Sequence, residues 1–280
     1  MKIIESKLPF SYKTIKVTQS RIDKGLLAIP VSLIDYFPKN KNTILIATGI
    51  SVEMSPKHFT PYTSSSRECR IGGIRNFYEK YQVRDGDEIV VQILDVDKYR
   101  LYTENQFENL IKETESQFDH SKDEEEATLS LEKITKITNS KPGQALLSEY
   151  YRLAKTIIKS RKKITSKPSF TKESVSPAMR KLLTQLYDGK CQVTGFGFLM
   201  KNKKPYFEIH HIEPDFGDHL KNLLVVSPNI HAEFTYTVVE QFFDSEGWMR
   251  HVKFNSQEFT VNHIIDKLPA RFKKEVHYEK

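Results

Sequence analysis

The sequence predicts an α+β chain: a β-rich N-terminal region, a charged helical linker, and a C-terminal region of helices around a β-hairpin. Three observations carry this reading. Residues 1–102 hold short alternating or apolar runs separated by turn signals. Residues 103–170 turn strongly polar and then show helical periodicity. Residues 171–280 open with a capped amphipathic segment and continue into strand-like pieces rich in histidine.

Composition narrows the classes. A length of 280 residues favours two domains, and 38% hydrophobic with 11% aromatic residues is enough to build cores, which argues against wholesale disorder. No run approaches the length of apolar chain that a membrane span needs, so no membrane partner is expected. Residues 1–10 carry charges and a proline where a leader would carry its apolar stretch. Cys69 and Cys191 stand far apart, forming neither a disulfide framework nor a zinc-binding Cys pair. Together these predict a cytoplasmic protein. The net charge of +7 and pI near 9.1 suit a polyanionic partner, and equally an ordinary basic soluble protein.

In the first region the runs at 14–17, 26–29, 43–47, 88–94 and 99–102 read as strands. Between them lie Asp23-Lys24-Gly25, Pro38-Lys39-Asn40, Ser55-Pro56, Gly72-Gly73 and Asp85-Gly86-Asp87. Many short strands at this spacing predict a barrel or sandwich, with short helices around 30–36 and 74–81. Residues 104–126 hold nine acidic residues against two lysines and no Gly or Pro, predicting a solvated helix or a loose linker. Residues 144–158 place Leu146, Leu147, Tyr150, Tyr151, Leu153, Ala154, Ile157 and Ile158 on one helical face. The basic run after it, from Lys159 to Lys167, is either a solvated linker or a track for a DNA backbone.

Ser176-Pro177 marks a helix start, since serine caps and proline loses no needed N–H at the first position. Met179, Leu182, Leu183, Leu186 and Tyr187 form its apolar stripe, and Asp188-Gly189 its end. Then come Cys191-Gln-Val-Thr-Gly195, the segment 196–200, a turn Lys201-Asn-Lys-Lys204, and Tyr206-Phe-Glu-Ile-His210-His211-Ile212. This predicts two strands joined by the lysine turn, the second ending on the histidine pair. A loop, Asn222-Leu-Leu-Val-Val, and a helix opened by Ser227-Pro228-Asn229 and carrying His231 complete the set. Neighbouring strand residues face opposite ways, so His210 and His211 can do different jobs. Phosphodiester hydrolysis needs a base to activate water and a metal to stabilise developing charge, and histidines on a strand and a facing helix can supply both.

Cys-x-Val-Thr-Gly, Glu-Ile-His-His-Ile, Lys-Asn-Leu-Leu-Val-Val and Pro-Asn-x-His-Ala-Glu-Phe resemble the HNH, or ββα-metal, nuclease family. The resemblance implies metal ligation by His210 and His231, a general base at His211, and Asn222 fastening the loop against the base-bearing strand. It implies Mg²⁺, with Mn²⁺ able to substitute. Many relatives carry structural zinc on two Cys-x-x-Cys pairs. Here Cys191 stands alone, with Thr194, Ser227 and Ile230 at the partner positions, so no structural zinc is expected. Thr235 stands where some relatives place a further histidine, leaving a sparser site that suits a hydrated ion. His219, in the same loop, is either a phosphate contact or structural.

Within residues 14–102, Arg75-Asn-Phe-Tyr-Glu-Lys-Tyr-Gln-Val-Arg-Asp-Gly-Asp-Glu-Ile-Val-Val resembles the DNA-binding pseudobarrel of plant B-three transcription factors and of EcoRII- and BfiI-type restriction endonucleases. Gly86 would supply the turn, with Ile89, Val91 and Ile93 on one strand face. That resemblance implies two DNA-contacting loops, one with Arg21 and Lys24, the other with Ser65, Arg67 and Arg70.

The expectation is therefore a recognition barrel over 1–102, a helical linker over 103–170 and an HNH domain over 171–280. The implied activity is that of a restriction-type endonuclease on double-stranded DNA, of bacterial or phage origin. Cutting both strands would call for a homodimer or two successive events. Rival readings are a non-catalytic DNA-binding regulator on an HNH-like scaffold, and a nicking or RNA-acting nuclease.

Overall fold

The alternating runs of the N-terminal region form strands because every second side chain finds a shared interior. The structure, a computed structural model, describes residues 3–5, 11–63, 69–156 and 175–267. Its first strands are β1 (Ile3–Glu5), β2 (Ser11–Lys16), β3 (Leu26–Ile29), β4 (Thr43–Thr48), β5 (Ser55–Thr60), β6 (Cys69–Gly72), β7 (Glu88–Asp95) and β8 (Lys98–Thr103). Among the described residues they make one eight-stranded sheet in the order β1-β2-β7-β8-β4-β5-β6-β3. All neighbours run antiparallel except β4 and β8, which are parallel. β3, at one end of that order, curls back beside β2, so the sheet is nearly closed. The chain is thus mixed α+β, and its first sheet has the curled form expected of a pseudobarrel.

The enclosed face is apolar. Leu27, Ile29, Ile44, Ile46, Phe59, Ile71, Tyr99 and Leu101 pack there, together with Ile89, Val91 and Ile93 of β7. Each fully buried aliphatic or Phe side chain contributes roughly 1.5–3 kcal/mol, so this interior is the main reason the sheet curls. On the outer face of β7, Gln92 is also buried, and its Nε2 donates to the Lys136 and Ile137 carbonyls at 3.0 and 3.3 Å. Gly86 adopts φ +89 in the turn before β7, and its N–H bonds the Val17 carbonyl at 3.0 Å. Residues 19–24, expected as a loop, instead form the short helix α1 (Gln19–Lys24). The reason is Gly25, which ends it at φ +63 and leaves only 3.1 Å between an added Cβ and Arg75. Helix α2 (Arg75–Lys80) buries Phe77 and Tyr78, and the Tyr78 hydroxyl donates to the Leu26 carbonyl at 2.9 Å.

The acidic stretch is helical: α3 (Glu104–Asp119) and α4 (Glu124–Thr138) precede α5 (Pro142–Ala154). The acidic run lies at the start of α4, where the helix dipole favours negative charge. Asp123 Oδ1 accepts the Glu126 N–H at 2.8 Å, and Glu126 Oε2 accepts the Lys122 N–H at 2.7 Å. This is a reciprocal cap of the capping-box kind. Two compact units divide these helices between them, Met1–Ser116 with Lys133–Lys141, and Gln117–Glu132 with Pro142–Lys280.

In the second unit, α6 (Pro177–Tyr187) is capped by Ser176, whose Oγ accepts the Met179 N–H at 3.4 Å, and Asp188 ends it at φ +51. There follow β9 (Phe198–Leu199), β10 (Pro205–Tyr206), β11 (Glu208–His211), β12 (Leu223–Val226), α7 (Pro228–Tyr236), β13 (Val239–Phe243), β14 (Met249–Phe254) and β15 (Gln257–Thr260). The predicted strand pairing needs correction. The lysine turn joins only the small β9–β10 ribbon, whereas the strand bearing the histidine pair takes β12 as its partner. All four residues of β12 are buried, Leu223 and Val225 in one apolar cluster, Leu224 and Val226 in another. β12 is thus covered on both faces, and β11 pairs with it antiparallel. Trp248 stacks on Tyr150 at 6.3 Å in the first of these clusters. Both cysteines are buried thiols.

Candidate active site

β11 and β12 pair with Glu208 opposite Val226 and His211 opposite Leu223. Alternation along β11 sends Glu208 and His210 toward α7 and turns Ile209 and His211 the other way. Helix α7 is held by Ser227, whose Oγ accepts the Ile230 N–H at 3.5 Å, with Pro228 in its first turn. His231 and Phe234, three residues apart, share the helix face that meets β11.

On that face the His210 ring stacks on Phe234 at 4.0 Å and meets the His231 ring edge-on, with centroids 5.4 Å apart. Burial pushes the His210 pKa down to about 4, with His231 and His211 adding to the shift. His210 is therefore a neutral imidazole near pH 7, the form that can ligate a metal. His231 Nδ1 pairs with Glu208 Oε2, while Glu208 Oε1 accepts the Tyr206 hydroxyl at 3.0 Å. A carboxylate on one imidazole nitrogen fixes the ring and raises the basicity of the other, as behind many metal-ligating histidines.

On the opposite face His211 Nε2 lies 3.0 Å from Asp218 Oδ1, and Asp218 Oδ2 accepts the Ser176 N–H at 2.8 Å. Asp218 is thereby held from two sides and in turn orients the His211 ring. The loop between the strands is closed by Asn222. Its Oδ1 accepts the Glu213 N–H at 2.8 Å, and its Nδ2 donates to the Glu213 and Gly217 carbonyls at 3.1 and 3.2 Å. Asn222 is buried, so these bonds replace its water and hold the loop that follows β11.

His219 is a structural residue. It is buried, accepts the Lys221 N–H at Nδ1 over 3.1 Å, and its Nε2 bonds the Thr156 carbonyl at 2.8 Å. Burial holds its pKa below the usual imidazole range.

The His210 and His231 rings thus lie next to one another, with the Glu208 carboxylate alongside. Among the described residues, no three or more His, Cys, Asp or Glu side chains gather into a metal-holding group. An ion held by two imidazoles alone would complete its shell with waters, and Mg²⁺ favours oxygen ligands. Imidazole nitrogen also suits Zn²⁺ and Ni²⁺.

The candidate DNA contacts lie on the N-terminal unit. Lys24 is exposed and Arg21 half-buried on α1, and Arg70 is half-buried on β6, opposite Ala28 of the strand that follows α1. Arg70 therefore sits in a strand where a loop was expected. Ser65 and Arg67 lie outside the described residues.

Sequence reading missed Glu208 and Asp218. Glu208 stands two residues before His210, so strand alternation alone could have placed it on the same face. Asp218 reaches His211 only through the fold of the loop, which leaves no signal in residue spacing.

No protein-family model matches the chain, and no curated protein matches it. Among solved structures, a chain described as the Arabidopsis FUS3–DNA complex is similar at 16% identity, with TM-score 0.27. The match covers 33% of this chain and 94% of that one.

Proposed function

We propose that the chain is a sequence-directed, restriction-type DNA endonuclease of the HNH kind, with the N-terminal sheet as reader and the second unit as the cutting domain. The observation that carries this reading is the division of labour on β11. His210 meets His231 on one face, while the adjacent His211 is oriented by Asp218 on the other. With Nε2 directed at the carboxylate, Nδ1 of His211 is the nitrogen to take a proton from the attacking water. Asp218 then stabilises the imidazolium that forms, as a carboxylate does beside other catalytic histidines. Asn222 keeps the loop, and with it Asp218, in register with the base. Phe234 and Glu208 orient His210 and His231, which would hold one divalent ion, Mg²⁺ or Mn²⁺. When bound, that ion supplies charge stabilisation at the scissile phosphate and the leaving oxygen. The basic surplus of +7 favours the polyanionic substrate.

The test is incubation of supercoiled plasmid, methylated and unmethylated, with Mg²⁺, Mn²⁺, Ni²⁺ or Zn²⁺ in turn, and with EDTA. Metal-dependent nicking or linearisation is the expected result. Undiminished cutting in excess EDTA would remove the metal from the reading. Sequence-specific binding without cutting under any ion would establish the regulator instead. Linear product without a nicked intermediate would indicate a homodimer acting on both strands.

A further inference from the structure

We infer that the β9–β10 ribbon is a base-stacking platform that holds a nucleic-acid strand beside the candidate site. This rests on the nuclease reading and adds what grips the strand. The ribbon pairs Phe198 with Tyr206 and Leu199 with Pro205. The Phe198 and Tyr206 rings stack at 5.3 Å and 23°, and Phe196 lies 6.1 Å from Phe198 at 48°. No core accounts for this cluster, since Phe196 is 56% and Phe198 45% exposed. Keeping such rings in water is unfavourable, and here they line up on a short hairpin where they can meet a flat partner.

The turn beside them carries Lys201, Lys203 and Lys204, all exposed. Aromatic faces next to lysines match a polynucleotide strand, whose bases stack and whose phosphates pair with the cations. A second copy of the ribbon would bring like charges together, which disfavours self-association as the occupant. The platform is also continuous with the candidate site: the Tyr206 hydroxyl bonds Glu208 at 3.0 Å, and Glu208 pairs with His231. A base resting on Phe196 or Phe198 would therefore lie along the strand that supplies the scissile phosphate. The platform needs an unpaired base, so it suits a frayed, flipped or single-stranded nucleotide.

The experiment uses the full chain carrying His211→Ala, with EDTA present, to prevent cutting. Fluorescence anisotropy compares a short oligothymidine with an abasic deoxyribose-phosphate oligomer of equal length. The base-bearing oligomer should bind about ten-fold more tightly, in the range of one base–aromatic stack. Adding Phe198→Ala should abolish that preference, and Phe196→Ala should reduce it. Lys203→Ala should weaken both oligomers equally and lower the salt slope by about 0.7. Equal affinity for the two oligomers overturns the proposal, as does an undiminished preference in Phe198→Ala. A dimer that becomes a monomer in Phe198→Ala, with no change in the oligomer preference, overturns it in favour of a self-association surface. Plasmid cutting by the wild-type chain without any base preference would leave the nuclease reading standing and sink the platform. A Phe198-dependent preference without cutting under any ion would do the reverse.

Discussion

In the N-terminal unit, Arg21 and Lys24 stand on the short helix α1 and Arg70 on β6, beside a sheet whose interior is largely apolar. In the C-terminal unit, the side chains singled out for chemistry are half-buried or buried, and each is positioned by another side chain or by backbone: His210 by Phe234, His231 by Glu208, His211 by Asp218, Asn222 by the loop. A reading surface works with groups presented to solvent on a rigid support. A hydrolytic site works with groups whose orientation is settled before substrate arrives. The proposed reading and cutting tasks therefore predict different responses to mutation in the two units.

The largest expected effect is on chemistry. His211→Ala should lower plasmid cleavage by about two to four orders of magnitude, the usual worth of a general base, with DNA binding nearly unchanged in a mobility shift. Wild-type-like cutting would break the contrast, since a positioned base would then be doing nothing. Next is the loop clamp. Asn222→Ala removes three side-chain hydrogen bonds to the Glu213 and Gly217 backbone and should cost about 1–3 kcal/mol of stability in the C-terminal unit, measured by urea unfolding. A neutral result would show that the loop holds its shape without the side chain.

On the reading side, Arg21→Ala or Arg70→Ala should change DNA affinity. If the guanidinium reads a base, specificity relaxes at one position by about 1–3 kcal/mol. If it touches phosphate, affinity drops evenly across sequences and the salt slope shrinks. A mobility-shift series at several salt concentrations separates the two. Equal, feeble binding by either variant and by the parent protein to every duplex would remove the reading role from this unit.

The smallest effect sharpens the contrast through pH. Burial holds His219 and His263 below the ordinary imidazole value of 6.5. Below that value the unfolded chain takes up protons that the folded chain refuses, so stability falls as pH drops. Unfolding of the C-terminal unit should be insensitive to pH above about 7 and should become easier between about pH 6.5 and 5. Trp248, the single tryptophan, lies 5.0 Å from His263 with the rings tilted, and reports this unit by fluorescence. His263→Gln should flatten the pH response. An unchanged slope would place the sensitivity elsewhere.

Much of the local structure was legible because it rests on neighbours in sequence. Ser176-Pro177 and Ser227-Pro228 open helices, Gly86 makes its turn, and the runs at 26–29, 43–47 and 88–94 become strands. Each follows from capping, backbone conformation or alternation within a few residues. The candidate site was legible in its histidines and Asn222 for the same reason, since strand and helix periodicities fix which faces they share.

Tertiary structure alone decided the rest. The strand bearing His210 and His211 could have paired across the lysine turn, and local pattern favoured that choice. It pairs with β12 because four consecutive apolar residues must be covered on both faces, a requirement visible only once the two clusters around them exist. Asp218 meets His211 because the loop folds back under the Asn222 clamp and the α6 cap, and no spacing rule anticipates that. Arg70 lies in a strand because β6 pairs with both β3 and β5, and residues 19–24 form a helix that Gly25 ends. Sequence determined what each short segment can be, through backbone and capping energies local to it. Burial, which depends on every segment at once, determined which of them meet.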